Sequence, residues 1–440
     1  MSPPVYRMTQ LLSTVLHSVP VGTNLALFQL LWTLVTGRLL AARGALFPAL
    51  ADAGLPPDAV RRAGAALATG HWQLAPLLAA FHQQAQAEGR WQPCTVAGYR
   101  PVACDLVGFF RPRLRHCPTA HFSQPAGQTL PAVPFGVVAR VGAVGTQRVP
   151  LPVACVRAAA DDPSDHALMD RALRAAAAGL LADEWLVADR GFPLSQVQAA
   201  QVPRFLLRVP RTFTARRAFP PEYAGKGRPA QRGALIRPLP RQRKGRTLPA
   251  TPPDRTERWQ DGKHVLVAHY FDDLVRADQK PGAATFHCLV VFDPRYRDPW
   301  VLVTPQPLAG ATCRALYPHR WPVEQLPLAA KQMLGASRQF VFGAESRQRL
   351  PELAMLAGAL LMYAAATQPA VPSGFWDRAP RPTVGRLRRL LARADFPAVA
   401  ALPAAFRKKL SPTTHLPKGV LGHRRQKRPL DQHDTARLVA

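Results

Sequence analysis

The chain has 440 residues, with 57 Lys and Arg against 27 Asp and Glu, a formal charge of +30 and a sequence pI near 11.3. That length holds two or three domains around a well-buried core, and that charge selects a polyanionic partner, nucleic acid before an anionic membrane surface. The apolar run from Leu25 to Val35 is broken by Gln29 and Thr33 and is too short to cross a bilayer, so no membrane association is expected and the cytoplasm is the expected compartment. Six scattered cysteines without a C-x-x-C pair argue against a disulfide framework and against a zinc site.

In chain order, residues 1–95 read as helical, because Leu11, Leu12, Val15 and Leu16, then Leu25, Phe28, Leu31 and Trp32, recur at helical spacing. Such a region serves either as a helix-turn-helix-like DNA-binding module or as a cap on the rest. Apolar runs then predict strands at 95–99, 101–109, 133–141 and 149–158. Ser164 suits the N-cap of a helix from 165 to about 181, followed by a strand at 184–189, a helix at 194–200 and a strand at 204–209. The second strand holds a lone acid, Asp105, inside Val-Ala-Cys-Asp-Leu-Val-Gly-Phe-Phe. A carboxylate there is costly unless it is paired or metal-bound. The strand at 184–189 ends in Asp189, and Gly191 permits a sharp exit.

Residues 204–246 carry 13 Lys or Arg and one acid, Glu222, which reads as a DNA-backbone surface or a loop too poor in apolar residues to fold alone. Strands are expected at 264–271, 285–292 and 300–303, with Asp272-Asp273 as a structural pair at a hairpin turn. Next, Tyr317, Arg320, Glu324 and Lys331 fall within roughly 60° of one another around an ideal helix, with a kink expected at Pro327. One face would thus join a carboxylate fit for a divalent cation to groups that bind phosphate oxygens. An apolar helix at 351–367 precedes a basic helix at 381–393 with five arginines, and a basic tail.

The Y-x2-R-x3-E-x6-K spacing at 317–331, with Trp321, resembles the signature of bacterial insertion-sequence DDE transposases. Asp189-Arg190-Gly191-Phe192 resembles that family's second-aspartate motif, and the element order resembles an RNase H-like fold. The resemblance covers roughly residues 100 to 365. It implies an α/β chain with an RNase H-like catalytic core, divided as a helical region 1–95, the first part of the core 96–210, a basic and β-rich insertion 211–310, the catalytic helix and end of the core 311–370, and a basic helix and tail 371–440. It further implies that Asp105, Asp189 and Glu324 hold two Mg²⁺ ions, or Mn²⁺ in their place, for DNA cleavage and strand transfer. Tyr317, Arg320 and Lys331 would contact DNA. The partner would be double-stranded DNA, as transposon ends and target, bound by a homodimer in the bacterial nucleoid. Two other readings stay open: an RNase H-like nuclease using the same triad, and a non-catalytic DNA-binding protein derived from a transposase. Three unpaired acids weigh against the second.

Overall fold

The computed structural model describes residues 2–406 with the exception of 163–164, 224, 226–227, 229, 280–281, 371 and 373. Ser164 and the basic runs at 407–409 and 424–428 therefore lie outside the described residues.

Six helices open the chain: α1 Pro3–Val15, α2 Thr23–Val35, α3 Arg38–Ala41, α4 Leu46–Asp52, α5 Pro57–Thr69 and α6 Leu74–Ala87. Both α1 and α5 begin with proline, whose missing N–H falls where no helical partner exists. Almost every residue of α2 is buried, which makes it a core helix and not an amphipathic surface one. Next come β1 Trp91–Pro93, β2 Arg100–Phe110, β3 Ala120–Ser123, β4 Gln128–Val144, β5 Gln147–Arg157, α7 Asp165–Gly179, β6 Glu184–Ala188, α8 Leu194–Ala199 and β7 Phe205–Arg208. The strand expected at 95–99 is a tight turn instead. Ala97 and Gly98 take positive φ (49° and 84°), which a strand cannot accommodate, and only Val96 and Tyr99 bridge.

The basic segment contributes β8 Ala215–Arg217, β9 Leu235–Ile236, β10 Arg241–Arg243, β11 Arg246–Leu248, β12 Arg255–Asp261, β13 His264–Arg276, β14 Phe286–Phe292 and β15 Trp300–Thr304. Asp272-Asp273 does not end a strand as expected. β13 runs on through it with a register shift between Phe271 and Leu274, and Asp273 takes the left-handed conformation of a bulge. The C-terminal part holds α9 Gly310–Leu316, a 3₁₀ stretch Tyr317–Glu324, α10 Gln325–Leu328, a π turn Ala329–Met333, α11 Ser346–Thr367 and α12 Val384–Leu391.

The protein is mixed α/β around a central mixed sheet. In its first half β5, β4, β2, β6 and β7 lie side by side. β2, β4 and β5 pair antiparallel, whereas β6 lies parallel to both β2 and β7. β15 pairs antiparallel with β7, and β14, β13, β8 and β9 extend the same sheet. The hairpin β10–β11 stands apart from it.

Alternation along β2 sorts its side chains between two cores. Val102 and Cys104 pack under α7 and α8, whereas Ala103, Val107 and Phe109 join the core shared by the N-terminal helices and α11. Among the described residues α11 is the one helix long and apolar enough to cross a membrane, and it is buried in that core.

Candidate active site

Asp105 shares the parity of Ala103 and Val107, so its carboxyl emerges on the face beneath residues 317–333. Parallel pairing sets Val187 opposite Ala103, an offset of 84 residues. Continued two residues past the last pair, the same offset would set Asp189 level with Asp105, and the two carboxylates interact. β6 ends at Ala188, so Asp189 leaves the ladder just where the two acids draw level. Its Oδ1 accepts the Gly191 N–H at 2.8 Å, and a Cβ on Gly191 would stand 2.9 Å from that oxygen. Glycine here leaves room for the carboxylate.

Glu324 arrives on the segment packed across β2 and β6. The sequence predicts one α-helix through 317–331, and the structure divides it into 3₁₀, α and π pieces. Pro318, Pro322 and Pro327 each lack an N–H, so a regular i→i−4 ladder cannot run through the segment. Arg320 and Glu324 nevertheless meet, Nη1 donating to Oε1 at 2.5 Å, and the same Nη1 lies 3.7 Å from Asp189 Oδ2. The guanidinium bridges the second and third acids and lies 4.5 Å from the Trp321 ring.

Among the described residues no cation is ion-paired with Asp105 at salt-bridge distance. Burial and the nearby Asp189 and Glu324 charges push its pKa up to about 7, against a weaker pull from Arg320 and its bond from the Leu106 N–H. Lys331 lies 5.1 Å from the Phe109 ring; burial lowers its pKa, and the Asp105 charge opposes that. Burial raises the Tyr317 phenol, which therefore stays protonated, a hydrogen-bond donor, at neutral pH. Its ring lies 5.1 Å from Trp300 and 5.9 Å from the Arg208 guanidinium. The six residues singled out from the sequence are thus linked to one another near the middle of β2 and the end of β6.

Arg208 was not singled out. The available signal was a lone cation ending the apolar strand Phe-Leu-Leu-Arg, next in the sheet to β6, which Asp189 follows.

No family model matches the chain, and no curated protein matches it.

Hard, anionic oxygen donors suit Mg²⁺ or Mn²⁺, and the acid forced up to about 7 is one that a divalent charge would pull down. Among the described residues, however, no three His, Cys, Asp or Glu side chains stand at metal-ligating separation. Arg320 bridges two of the acids instead. The donor set fits such ions in kind, and Arg320 must release Asp189 and Glu324 for both to serve as ligands.

Proposed function

We propose that the protein is a DDE transposase with an RNase H-like core, acting on double-stranded DNA as a homodimer. The observation that carries this reading is the convergence of Asp105, Asp189 and Glu324, from three separate elements, in a strongly basic chain. The β5-β4-β2-β6-β7 order, an antiparallel meander continued by two parallel strands joined through α7 and α8, supports the RNase H-like assignment.

Asp105, Asp189 and Glu324 would hold two Mg²⁺ or Mn²⁺ ions. When bound, these would stabilise charge on the attacking and leaving oxygens of a phosphodiester. Released from the acids, Arg320 would offer a planar fork to a phosphate oxygen pair. Tyr317, protonated, would donate one further hydrogen bond, and Lys331 would add a charge beside Asp105.

The test is Mg²⁺-dependent cleavage of DNA carrying the element's ends, by Asp105→Asn, Asp189→Asn and Glu324→Gln. Each variant should lose cleavage and keep most of its DNA affinity, which comes largely from phosphate contacts elsewhere. A variant cleaving at near the wild-type rate removes that residue from the triad. Cleavage without strand transfer in the wild type favours the nuclease.

A further inference from the structure

Beyond Phe109, on the Lys331 side of the acids, β2 runs into a cleft of about 650 Å³. Along the strand it begins roughly 17 Å from Asp105. Arg111, Arg113 and Arg338 line the cleft together with Phe340, Phe342 and Gln339, and no acid contributes to the lining.

Three features there are unusual for a mere surface hollow. Phe340 and Phe342 are 60% and 66% exposed, two neighbouring phenyl rings given to solvent. Gln339 is only 4% exposed, and among the described residues neither its amide oxygen nor its amide nitrogen has a hydrogen-bond partner. Arg111, 8% exposed, lies 5.9 Å from the Phe342 ring and donates one Nη to Val341 O at 3.0 Å, while its other Nη has no hydrogen-bond partner among the described residues. Buried polar atoms are seldom left so, and one side chain here presents a donor and an acceptor side by side.

Flat apolar faces, an amide pair and clustered arginines are together the recognition chemistry of an unpaired nucleotide. Aromatic rings stack on a base, a glutamine amide matches the donor–acceptor edge of adenine, and guanidinium groups take the flanking phosphates. We propose that this cleft binds an unpaired nucleobase of the DNA strand leaving the carboxylate site, with adenine preferred. The base would stack against Phe340 and Phe342, the Gln339 amide would turn outward onto its edge, and Arg111, Arg113 and Arg338 would hold the backbone. The inference rests on the DNA-processing reading, which the test separates from it.

The measurement compares affinity of the full chain for a blunt duplex and for the same duplex with a short single-stranded overhang of adenines, one replaced by 2-aminopurine. The overhang should bind about tenfold more tightly and its fluorescence should be quenched by stacking. Phe340→Ala with Phe342→Ala, both exposed and safe for folding, should abolish preference and quenching while blunt-duplex affinity stays within about twofold. Gln339→Met should keep the quenching and equalise adenine and thymine overhangs. Blunt-duplex binding without an overhang preference overturns the cleft alone. Failure to bind either probe overturns the DNA reading and the cleft with it. A double variant that keeps its preference, or that changes only the oligomeric state in sedimentation, also overturns the cleft and makes the rings a contact between copies.

Discussion

Two acids in or beside strands, Asp293 buried and Asp105 half-buried, have opposite surroundings. Asp293 follows β14 with its side chain 2% exposed, and its carboxylate accepts from Arg295 Nε at 2.8 Å and Arg314 Nε at 2.6 Å. Burial alone would raise its pKa, but those bonds prevail and hold it down to about 2. Asp105, inside β2, is pushed up to about 7, by burial first and then by two further carboxylates, against a weaker pull from Arg320. An acid whose neighbours neutralise it is accounted for by the fold. One whose like-charged neighbours outweigh its nearby cations is a candidate for a cation from outside.

The largest expected effect breaks the first member of that pair. Asp293→Ala leaves Arg314 without its carboxylate, while Arg295 keeps Asp261, and urea unfolding should show a loss of about 3 kcal/mol, from the more buried Arg314. The second test exploits sign. Asp293 has a folded pKa below its unfolded one, so its stabilisation is complete above about pH 4 and fades as pH falls towards 2. Asp105 has the reverse: its folded pKa lies above the unfolded value, so its contribution is greatest at low pH and is lost as pH rises from 4 to 7. In chelator, Asp105→Asn should remove a decline of about 1.4 kcal/mol per pH unit across that window and leave the protein more stable than wild type at pH 8. Equal slopes in the two proteins would remove the strain from Asp105.

A smaller change should follow from Gly191→Ala. Its Cβ would crowd Asp189 Oδ1, so Mn²⁺ should protect the variant from thermal unfolding less than it protects the wild type, while stability in chelator falls by about 1 kcal/mol or less. The smallest effect belongs to the exposed hairpin. Arg243→Ala should lower the salt slope of log affinity by about 1 and leave single-turnover cleavage unchanged, whereas Lys331→Ala should slow cleavage at saturating DNA.

Much of this was legible in the sequence because the informative signals are local. Lone acids in apolar strands, and Gly191 two residues after Asp189, exposed both strand carboxylates, and the elements from 101 to 208 followed from apolar runs and periodicity except for β3, which was not expected. What escaped depended on partners distant in sequence. The turn at Ala97–Gly98 and the bulge at Asp272-Asp273 are backbone solutions that apolar runs do not encode. Three prolines divided a segment that side-chain spacing alone makes one helix. Arg208 became part of the site only because β7 lies next to β6. Arg217, one of the thirteen cations read as a DNA-backbone surface or loop, is ion-paired with Asp254, and Arg216 bonds Gly233 O and Ala277 O.

The seam between the halves of the sheet has a consequence of another kind. The chain leaves β7 at Val209 and returns to β15 beside it, Val209 N–H donating to Val301 O at 2.9 Å. Everything between is an excursion whose two ends are already hydrogen-bonded neighbours. Lengthening or shortening it asks little extra closure entropy of the chain and re-threads no strand. β2 and β6, which carry or adjoin two of the acids, are threaded before the excursion begins, so descendants of this chain can change its length by alterations confined to that span. The acid-bearing strands can be inherited while the span is rebuilt.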